Sequence, residues 1–392
     1  MFKVDRKQIL AYRLHAQQLG ERAPTGELVE VAGRCCPQNT PPGSAALALG
    51  ARVEGVSERR VGEELEEGKR LLQAFGARAA PHVFPVREAA VFTRGLLPEG
   101  EEELRAFLRG AVPALDRLGL GAGELVELTV RAVEEVLDGS ALVKDEVGRV
   151  VGELIAGRLP AGVREGWKGG SPYAGKQFLG ESLVRFALPV VSLWGVLCHG
   201  GREGRAPLLR RTDQWVGRVR GVKKAPGELV RWFLRCYGPA GPGELAGWGG
   251  IAVQQAERLW AGVEAELVEV GFQAGRLWVL AGEEERLRSA GEVRGVRMVP
   301  PHDPYLQARD RGVLVPDRER QKVLWRQAGS PGAVLVDGEV RGVWRAKVRG
   351  RKLDVSVEAL GEIGRGHRGA VEEEVGRVAA CRGLEVGKVG GW

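Results

Sequence analysis

A repeated order of short helices and β-hairpins constrains the fold of this 392-residue chain most. In the N-terminal pattern, Ile9, Tyr12, Ala16 and Leu19 recur at spacings of three and four, which places them on one helix face. Gly33 is expected to end the second helix. The predicted helices of this region span 6–19, 26–31, 44–53 and 86–96, and the predicted strands span 71–75 and 81–84. Three helices followed by a hairpin are the order of a winged helix-turn-helix unit.

The same order returns twice. The second copy has helices over 101–118 and 123–137, a further helix through Leu154 that Ser140 is expected to cap, and a hairpin that ends near Arg210 and Arg211. The third copy has helices over 227–236, 243–247 and 253–262, followed by strands over 267–272 and 276–280.

The pattern changes to short strands after residue 293. Asp337-Gly338 joins two apolar runs, which is a strong signal for a type I′ hairpin, and a helix is expected near 370–380. The sequence therefore predicts an α+β fold of three tandem winged helix-turn-helix units and a small C-terminal β-rich module. The expected boundaries are 1–98, 99–222, 223–290 and 291–392.

The third copy contains a candidate recognition helix. Its spacing predicts that Val253, Ala256, Trp260 and Val263 face the core. Gln254, Gln255 and Arg258 then lie outside, where their side chains suit phosphates or base edges. Ordinary solvation of an exposed helix face is the alternative.

The composition favours an acidic partner. The formal net charge is +7, which suits nucleic acid, although a codon bias towards Arg, Gly and Ala would also produce it. The five Cys are odd in number and form no C-x-x-C pair, so buried reduced thiols are expected rather than disulfides or zinc. The most apolar run, 186–198, is too short to span a bilayer. We expect a soluble, cytoplasmic monomer.

Two basic clusters are candidate DNA contacts. One surrounds the second hairpin and comprises Arg202, Arg205, Arg210, Arg211, Arg218, Arg220, Lys223 and Lys224. The other comprises Arg341, Arg345, Lys347, Arg349, Arg351 and Lys352, with no acid between its ends. Strand periodicity puts Arg345, Lys347 and Arg349 on one face, where they match a phosphate backbone. A solvated strand face is the alternative.

The loop Gln38-Asn39-Thr40-Pro41-Pro42-Gly43 opens the predicted helix at 44–53. Gln38 therefore lies just ahead of a helix N-terminus, where free N–H groups favour anions. A carboxamide can both donate to and accept from a water. The alternative is that Gln38 is a loop residue that hydrogen-bonds the backbone ahead of the helix.

This loop resembles the catalytic motif of the AlkZ/YcaQ-type DNA glycosylases, which reads Gln-x-Gln or Gln-x-Asp. The first position matches at Gln38 and the second does not, because it is Thr40. Further segments resemble the first wing, the third helix-turn-helix unit and the C-terminal module of the same family. These segments are 80–85, 237–240, 248–251, 304–311 and 335–340.

The resemblance implies a monofunctional glycosylase that cradles duplex DNA and excises bulky N-alkylated purines without a cofactor or metal. Gln38 would position the attacking water, with Thr40 or Asn39 assisting. His82 in the first wing would touch DNA or orient a water, or else pack at the strand end. Arg52 would pair with a phosphate or with an acid. Two other functions stay open, a non-enzymatic DNA-binding protein and a scaffold for protein partners.

Overall fold

The computed structural model describes residues 2–204, 206–273 and 275–391. Within them the chain folds into a mixture of helices and sheets, so the predicted α+β class is confirmed. The helices are α1 (Arg6–Ala16), α2 (Leu28–Cys35), α3 (Ser44–Gly50), α4 (Glu58–Glu66), α5 (Ala89–Phe92), α6 (Gly100–Phe107), α7 (Val112–Leu118), α8 (Ala122–Val136), α9 (Lys144–Arg158), α10 (Ala161–Lys168), α11 (Leu179–Leu193), α12 (Thr212–Val216), α13 (Ala225–Tyr237), α14 (Pro242–Gly249), α15 (Val253–Ala261), α16 (Glu284–Arg288), α17 (Arg311–Leu314), α18 (Arg318–Leu324) and α19 (Arg368–Cys381).

The strands form three sheets. They are β1 (Phe2–Lys3), β2 (Leu71–Phe75), β3 (Pro81–Pro85), β4 (Leu142–Val143), β5 (Leu197–Glu203), β6 (Ala206–Arg211), β7 (Leu267–Phe272), β8 (Gly275–Leu280), β9 (Val296–Val299), β10 (Gly332–Val336), β11 (Glu339–Arg349), β12 (Lys352–Ala359) and β13 (Glu385–Gly390). The first two hairpins join in one sheet of order β3-β2-β5-β6-β4. The third hairpin pairs with the N-terminus as β1-β7-β8, and the C-terminal sheet has the order β13-β12-β11-β10-β9.

The N-terminal region contains the predicted hairpin and most of the predicted helices. The expectation that Gly33 ends the second helix is wrong, because α2 continues to Cys35 and ends where Cys36 adopts a left-handed φ of 45°. Gly33 is buried, and a side chain there would meet the carboxylate of Glu88 at 2.6 Å. Helix α4 was not predicted. It begins where the Ser57 side chain accepts a hydrogen bond from the backbone N–H of Arg60.

Two further helix predictions need correction. The helix expected over 86–96 is reduced to α5, which is flanked by short 3₁₀ turns. Ser140 does not cap α9, because its hydroxyl donates to the carbonyl of Val136 at the end of the preceding helix. The N-cap residue of α9 is Val143, whose side chain makes no capping hydrogen bond. Ser140 is thus a C-terminal partner of α8.

The third hairpin and the C-terminal hairpin agree with the sequence pattern. Strands β7 and β8 pair antiparallel, as do β10 and β11. Asp337 and Gly338 both have positive φ, 48° and 79°, as a type I′ turn requires. Strand β11 is a single 11-residue strand that continues into the hairpin with β12.

Helix α19 attaches the C-terminal sheet to the N-terminal region. Arg22 donates to both carboxylate oxygens of Glu374 at 2.7 and 2.8 Å, in a pair that is about 5% exposed. Cys381 at the end of α19 packs into the core of α2 and α3. All five Cys are buried free thiols. No helix in the described ranges is long and apolar enough to cross a membrane.

Candidate active site

Gln38 lies beside the first hairpin. The backbone N–H of Asn39 donates to the carbonyl of Pro81 at 2.7 Å, and that of Val83 donates to Pro37 at 2.9 Å. Gln38 and His82 therefore face each other across an antiparallel bridge. Residues paired in this way carry their side chains on the same face. The loop thus places Gln38 on the same face as His82, with only 9% of Gln38 exposed.

Asn39 holds the loop in place. Its Oδ1 accepts hydrogen bonds from the backbone N–H groups of Gly43 at 2.9 Å and Ala45 at 3.3 Å, at the start of α3. Its Nδ2 donates to Oε1 of Gln73 at 2.6 Å. Both ends of the amide are engaged in holding the loop, and the assisting catalytic role of Asn39 stays a prediction. Thr40 is exposed at the loop tip.

Arg78, in the turn between β2 and β3, was missed by the sequence analysis. Its Nη2 donates to Oε1 of Gln307 at 2.7 Å and lies 3.5 Å from Oε1 of Gln38, and its Nη1 donates to the carbonyl of Trp248. In the described part of the chain, no carboxylate forms an ion pair with Arg78. Burial and, to a smaller extent, the nearby Arg309 lower the pKa of Arg78 to about 10.

Glycine at position 250 permits this contact. Gly250 has a φ of 70°, and a Cβ there would come within 2.9 Å of Cγ of Arg78. The turn after α14 can therefore approach the hairpin closely. Four of the segments that carried the family resemblance meet at this point, namely the Gln38 loop, the first hairpin, 248–251 and 304–311. The signal that sequence reasoning could have used was an arginine inside an alanine-rich hairpin turn, 76–80.

The loop that carries Gln307 is fixed by a buried ion pair. The guanidinium of Arg52 donates to the two oxygens of Asp303 at 2.7 and 2.8 Å, and both side chains are fully buried. Burial alone would lower the pKa of Arg52, but Asp303 raises it above its ordinary value. The DNA-contact prediction for Arg52 is therefore wrong. The acid is its partner, and the pair connects α3 to the loop after β9.

His82 is buried, with its Nδ1 2.9 Å from the carbonyl of Ala80. Burial lowers the pKa of His82 to about 3, and the positive charge of Arg78 adds to this effect. The ring is consequently neutral near pH 7, and Nδ1 carries the hydrogen that it donates to Ala80. Of the three roles considered, packing at the strand end describes the position of His82. Its contact with DNA and its orientation of a water stay predictions.

Ala256, Trp260 and Val263 of the predicted recognition helix are buried as expected, but Val253 and Gln255 are not where the spacing predicts them. Gln255 is fully buried and donates to the carbonyls of Leu96 and Leu97 at 3.1 and 3.2 Å, whereas Val253 is 51% exposed. The prediction that Gln255 faces DNA is therefore wrong. Arg258 forms ion pairs with Glu99 at 3.1 Å and Glu103 at 2.9 Å. These bonds attach α15 to residues 96–103, and the Arg258 side chain remains exposed.

The arginines of the second hairpin are largely engaged by neighbours. Arg210 donates to the carbonyl of Gly200 and stacks over Trp215, 5.1 Å from the ring centroid. Arg211 pairs with Asp213 at 2.8 Å and Asp138 at 2.9 Å. The adjacent linker differs, since its cations are exposed and form no ion pair with a described residue. They are Arg218, Arg220, Lys223 and Lys224. Arg202 is similarly exposed, and Arg205 lies outside the described residues.

The basic row of β11 has acidic neighbours on β12. Arg349 lies 2.9 Å from Asp354, and Arg345 lies 3.7 Å from Glu358. Lys347 is exposed and stands opposite Asp354 in the register. The sequence shows no acid within the cluster, but strand pairing supplies two. The expectation of an uncompensated row is therefore wrong for Arg345 and Arg349.

The fold and this site define the class of the protein. An α+β chain with this order of helices and sheets has the fold of an AlkZ-type glycosylase. Residues 31–381 match the family model described as DNA glycosylase AlkZ-like, so the chain belongs to the AlkZ-like DNA glycosylase family.

Two comparisons with proteins of Streptomyces sahachiroi extend this result. The chain is 26% identical over 397 residues to an interstrand DNA cross-link repair glycosylase, covering 97% of this chain and 98% of that protein. It also superposes on the solved structure of the DNA glycosylase AlkZ with a TM-score of 0.76 and 22% identity, covering 99% of both chains. The structural likeness therefore extends over the whole fold.

Proposed function

We propose that this protein is a monofunctional DNA glycosylase that hydrolyses the N-glycosidic bond of bulky N-alkylated purines in duplex DNA. The observation that carries the proposal is the placement of Gln38, whose carboxamide reaches a polar junction lined by His82, Arg78 and Gln307. Family membership supplies the reaction class. The name of the relative from Streptomyces sahachiroi adds interstrand cross-links as a candidate substrate.

The reaction needs little acid catalysis from the protein. An N7- or N3-alkylated purine carries a positive charge and is already a good leaving group. Water oxygen bonds to C1′, the C1′–N bond breaks with its electron pair on the departing base, and the proton passes to solvent. The protein must position the water and stabilise the oxocarbenium-like sugar. Gln38 is proposed to hold that water, and the exposed hydroxyl of Thr40 to assist.

The three helix-and-hairpin regions are proposed to act as tandem winged helix-turn-helix units around the duplex. Exposed cations without an acidic partner in the described residues are the best candidates for phosphate contacts, because a paired arginine is already locally neutralised. Within the two basic clusters they are Arg202, Arg218, Arg220, Lys223, Lys224, Lys347, Arg351 and Lys352. Arg345 and Arg349 would have to exchange their acidic partners for phosphate.

One observation favours a second candidate, a DNA-binding protein without catalytic activity. The active motif of the family has Gln or Asp where this chain has Thr40. An Asp there would place a negative charge beside the developing cation, whereas a threonine hydroxyl has no charge and a shorter reach. Such a protein would bind damaged DNA and leave the glycosidic bond intact.

The test uses duplex DNA with a single N7-alkylguanine, and in parallel the same duplex with an interstrand N7 cross-link. Wild type, Gln38→Ala and Thr40→Asp are compared, with Gln18→Ala as a control at a glutamine outside the site. We expect alkali-labile abasic sites with wild type, their loss in Gln38→Ala, and faster formation in Thr40→Asp. Salt-sensitive binding without abasic sites on either substrate would refute the enzyme and support the second candidate.

A further inference from the structure

Arg78 is a largely buried guanidinium with neutral hydrogen-bond partners. The guanidinium donates to the carbonyl of Trp248 and to the side-chain oxygens of Gln307 and Gln38. Gln307 is itself oriented, since its Nε2 donates to the carbonyl of His302 at 3.1 Å. Buried charges are normally compensated by an ion of opposite sign.

The chemistry of the guanidinium fixes the orientation of the Gln38 amide. Arginine has five N–H donors and no acceptor, so the carboxamide atom that faces it must be the oxygen. The Gln38 Oε1 atom does face Nη2 of Arg78, at 3.5 Å. The NH₂ group at the other end of the amide then points away from Arg78. The backbone bridge to His82 restricts where the rest of the side chain can go.

We propose that Arg78 is a positioning residue that makes Gln38 a hydrogen-bond donor towards the DNA. This inference rests on the proposed function, and it specifies how Gln38 acts there. The NH₂ group donates a hydrogen bond to one of the two lone pairs on the oxygen of the attacking water. The other lone pair of that water stays free to attack C1′. Gln38 is thus excluded as the group that accepts the proton of the water.

The first test does not depend on activity. Gln38→Glu puts a carboxylate oxygen where Oε1 faces the guanidinium, so this variant should melt about 2 °C or more above wild type. In the Arg78→Met background the same change should give no gain. Arg297→Met is the matched control, because Arg297 is also a half-buried arginine bonded to carbonyls, those of Val296 and Gly20. An equal effect of Gln38→Glu in both backgrounds overturns the proposal.

The second test is single-turnover excision at saturating enzyme. Gln38→Glu keeps the size of the side chain and replaces the NH₂ donor by a second oxygen. It should slow excision about 10²–10³-fold, as the loss of one preorganised donor does elsewhere. Arg78→Met should slow excision about tenfold, the equivalent of one modest hydrogen bond, with DNA affinity unchanged. Arg78→Lys should recover part of the rate, and Arg297→Met should leave it unaltered.

Two results would overturn the role of Arg78. Excision by Gln38→Glu at the wild-type rate would show that the donor is not needed. A loss of DNA affinity in Arg78→Met, with about one unit less salt dependence and an unchanged rate, would make Arg78 a phosphate contact. If wild type excises nothing, the proposed function fails, and the melting comparison still decides how Arg78 orients Gln38.

Discussion

Arg52 and Asp303 show at the scale of single residues how this site is supported. Their ion pair is fully buried and fixes the loop that carries Gln307. Arg52 also donates to the carbonyls of Gln17 and Ala48, so one side chain holds three segments. Removing Asp303 leaves Arg52 as a buried, uncompensated cation. This destabilises the folded protein far more than breaking an exposed ion pair does.

We expect Asp303→Ala to lower the free energy of unfolding by about 3–5 kcal/mol, the range for breaking a buried pair. Chemical denaturation followed by tryptophan fluorescence measures it. The control is Glu319→Ala, whose partner is Lys322 in a pair that is more than 70% exposed, and it should change stability by less than about 1 kcal/mol. If the two substitutions lowered the free energy of unfolding equally, the buried pair would contribute no more to stability than the exposed one.

His82 makes the stability depend on pH. Its pKa is about 3 in the folded protein because of burial and the charge of Arg78, against an ordinary value of 6.5. Between these values the unfolded chain binds a proton that the folded protein does not, so stability falls as pH drops from 6.5 towards 3. His199, which packs 4.7 Å from Phe75, has a pKa of about 4 through burial and acts in the same direction.

Replacing His82 by Gln should therefore flatten the loss of stability on acidification. The quantity to measure is the melting temperature between pH 4 and pH 7, and the difference between variant and wild type should shrink as the pH falls. Adding His199→Gln should flatten the curve again. Parallel curves for wild type and the single variant would mean that His82 titrates alike in the folded and unfolded states.

At the scale of elements, the packing of α10 against α11 requires a glycine. Trp167 in α10 is fully buried, and its Nε1 donates to the carbonyl of Gly152 at 2.9 Å. A Cβ on Gly180 in α11 would lie 1.9 Å from that same nitrogen. Neither the tryptophan ring nor the helix can move away without opening this core, so the contact admits no side chain.

We expect Gly180→Ala to destabilise the protein by about 1–3 kcal/mol or more, as overpacking does. The matched control is Gly157→Ala in the adjacent helix α9, where the added Cβ has nothing within 4 Å. It should instead stabilise by about 0.5–1 kcal/mol, because alanine loses less chain entropy in a helix. Thermal melting of both variants gives the signs, and a destabilising Gly157→Ala would contradict the argument.

Elements with a strong apolar period were predictable from the sequence. The burial and ion pairing of side chains that contact other elements were not. The hairpins of β2–β3 and β7–β8 have strand runs and turns that local physics recognises. Helix α4 has few apolar residues and depends on its cap at Ser57. Gln255 is buried against carbonyls 159 residues earlier in the chain, so the spacing around it contains no signal for its burial. The acids beside Arg345 and Arg349 lie on the next strand, and only the register of that hairpin shows which cations they adjoin.

At the scale of the whole molecule, the site is assembled from segments that the predicted boundaries separate. Gln38 and Arg78 come from the first region, the carbonyl of Trp248 from the third, and Gln307 from the C-terminal module. Helix α19 strengthens this arrangement through the buried pair of Arg22 and Glu374. The sequence identified Gln38 by resemblance alone, and only the tertiary structure shows Arg78 beside it.

The excess of positive charge is also distributed in a way that only the fold shows. The cations of the linker between the second and third regions, Lys223 and Lys224 among them, are exposed and pair with no described acid. Arg345 and Arg349 are as basic in sequence but adjoin Glu358 and Asp354. Because DNA binding releases counterions for each phosphate that a protein cation neutralises, the two sets should differ in their salt dependence.

Changing both lysines to Ala should reduce the slope of log affinity against log salt by about 1.8, which is about 0.9 for each phosphate contact. The Arg345→Ala and Arg349→Ala double variant should reduce it by less than about 1, since those charges are already partly compensated. Fluorescence anisotropy with one undamaged duplex between 50 and 300 mM salt measures both slopes. If the arginine variant lost as much as the lysine variant, the β11 pairs would have to open on DNA, and the exposed face of that strand would be the main backbone contact.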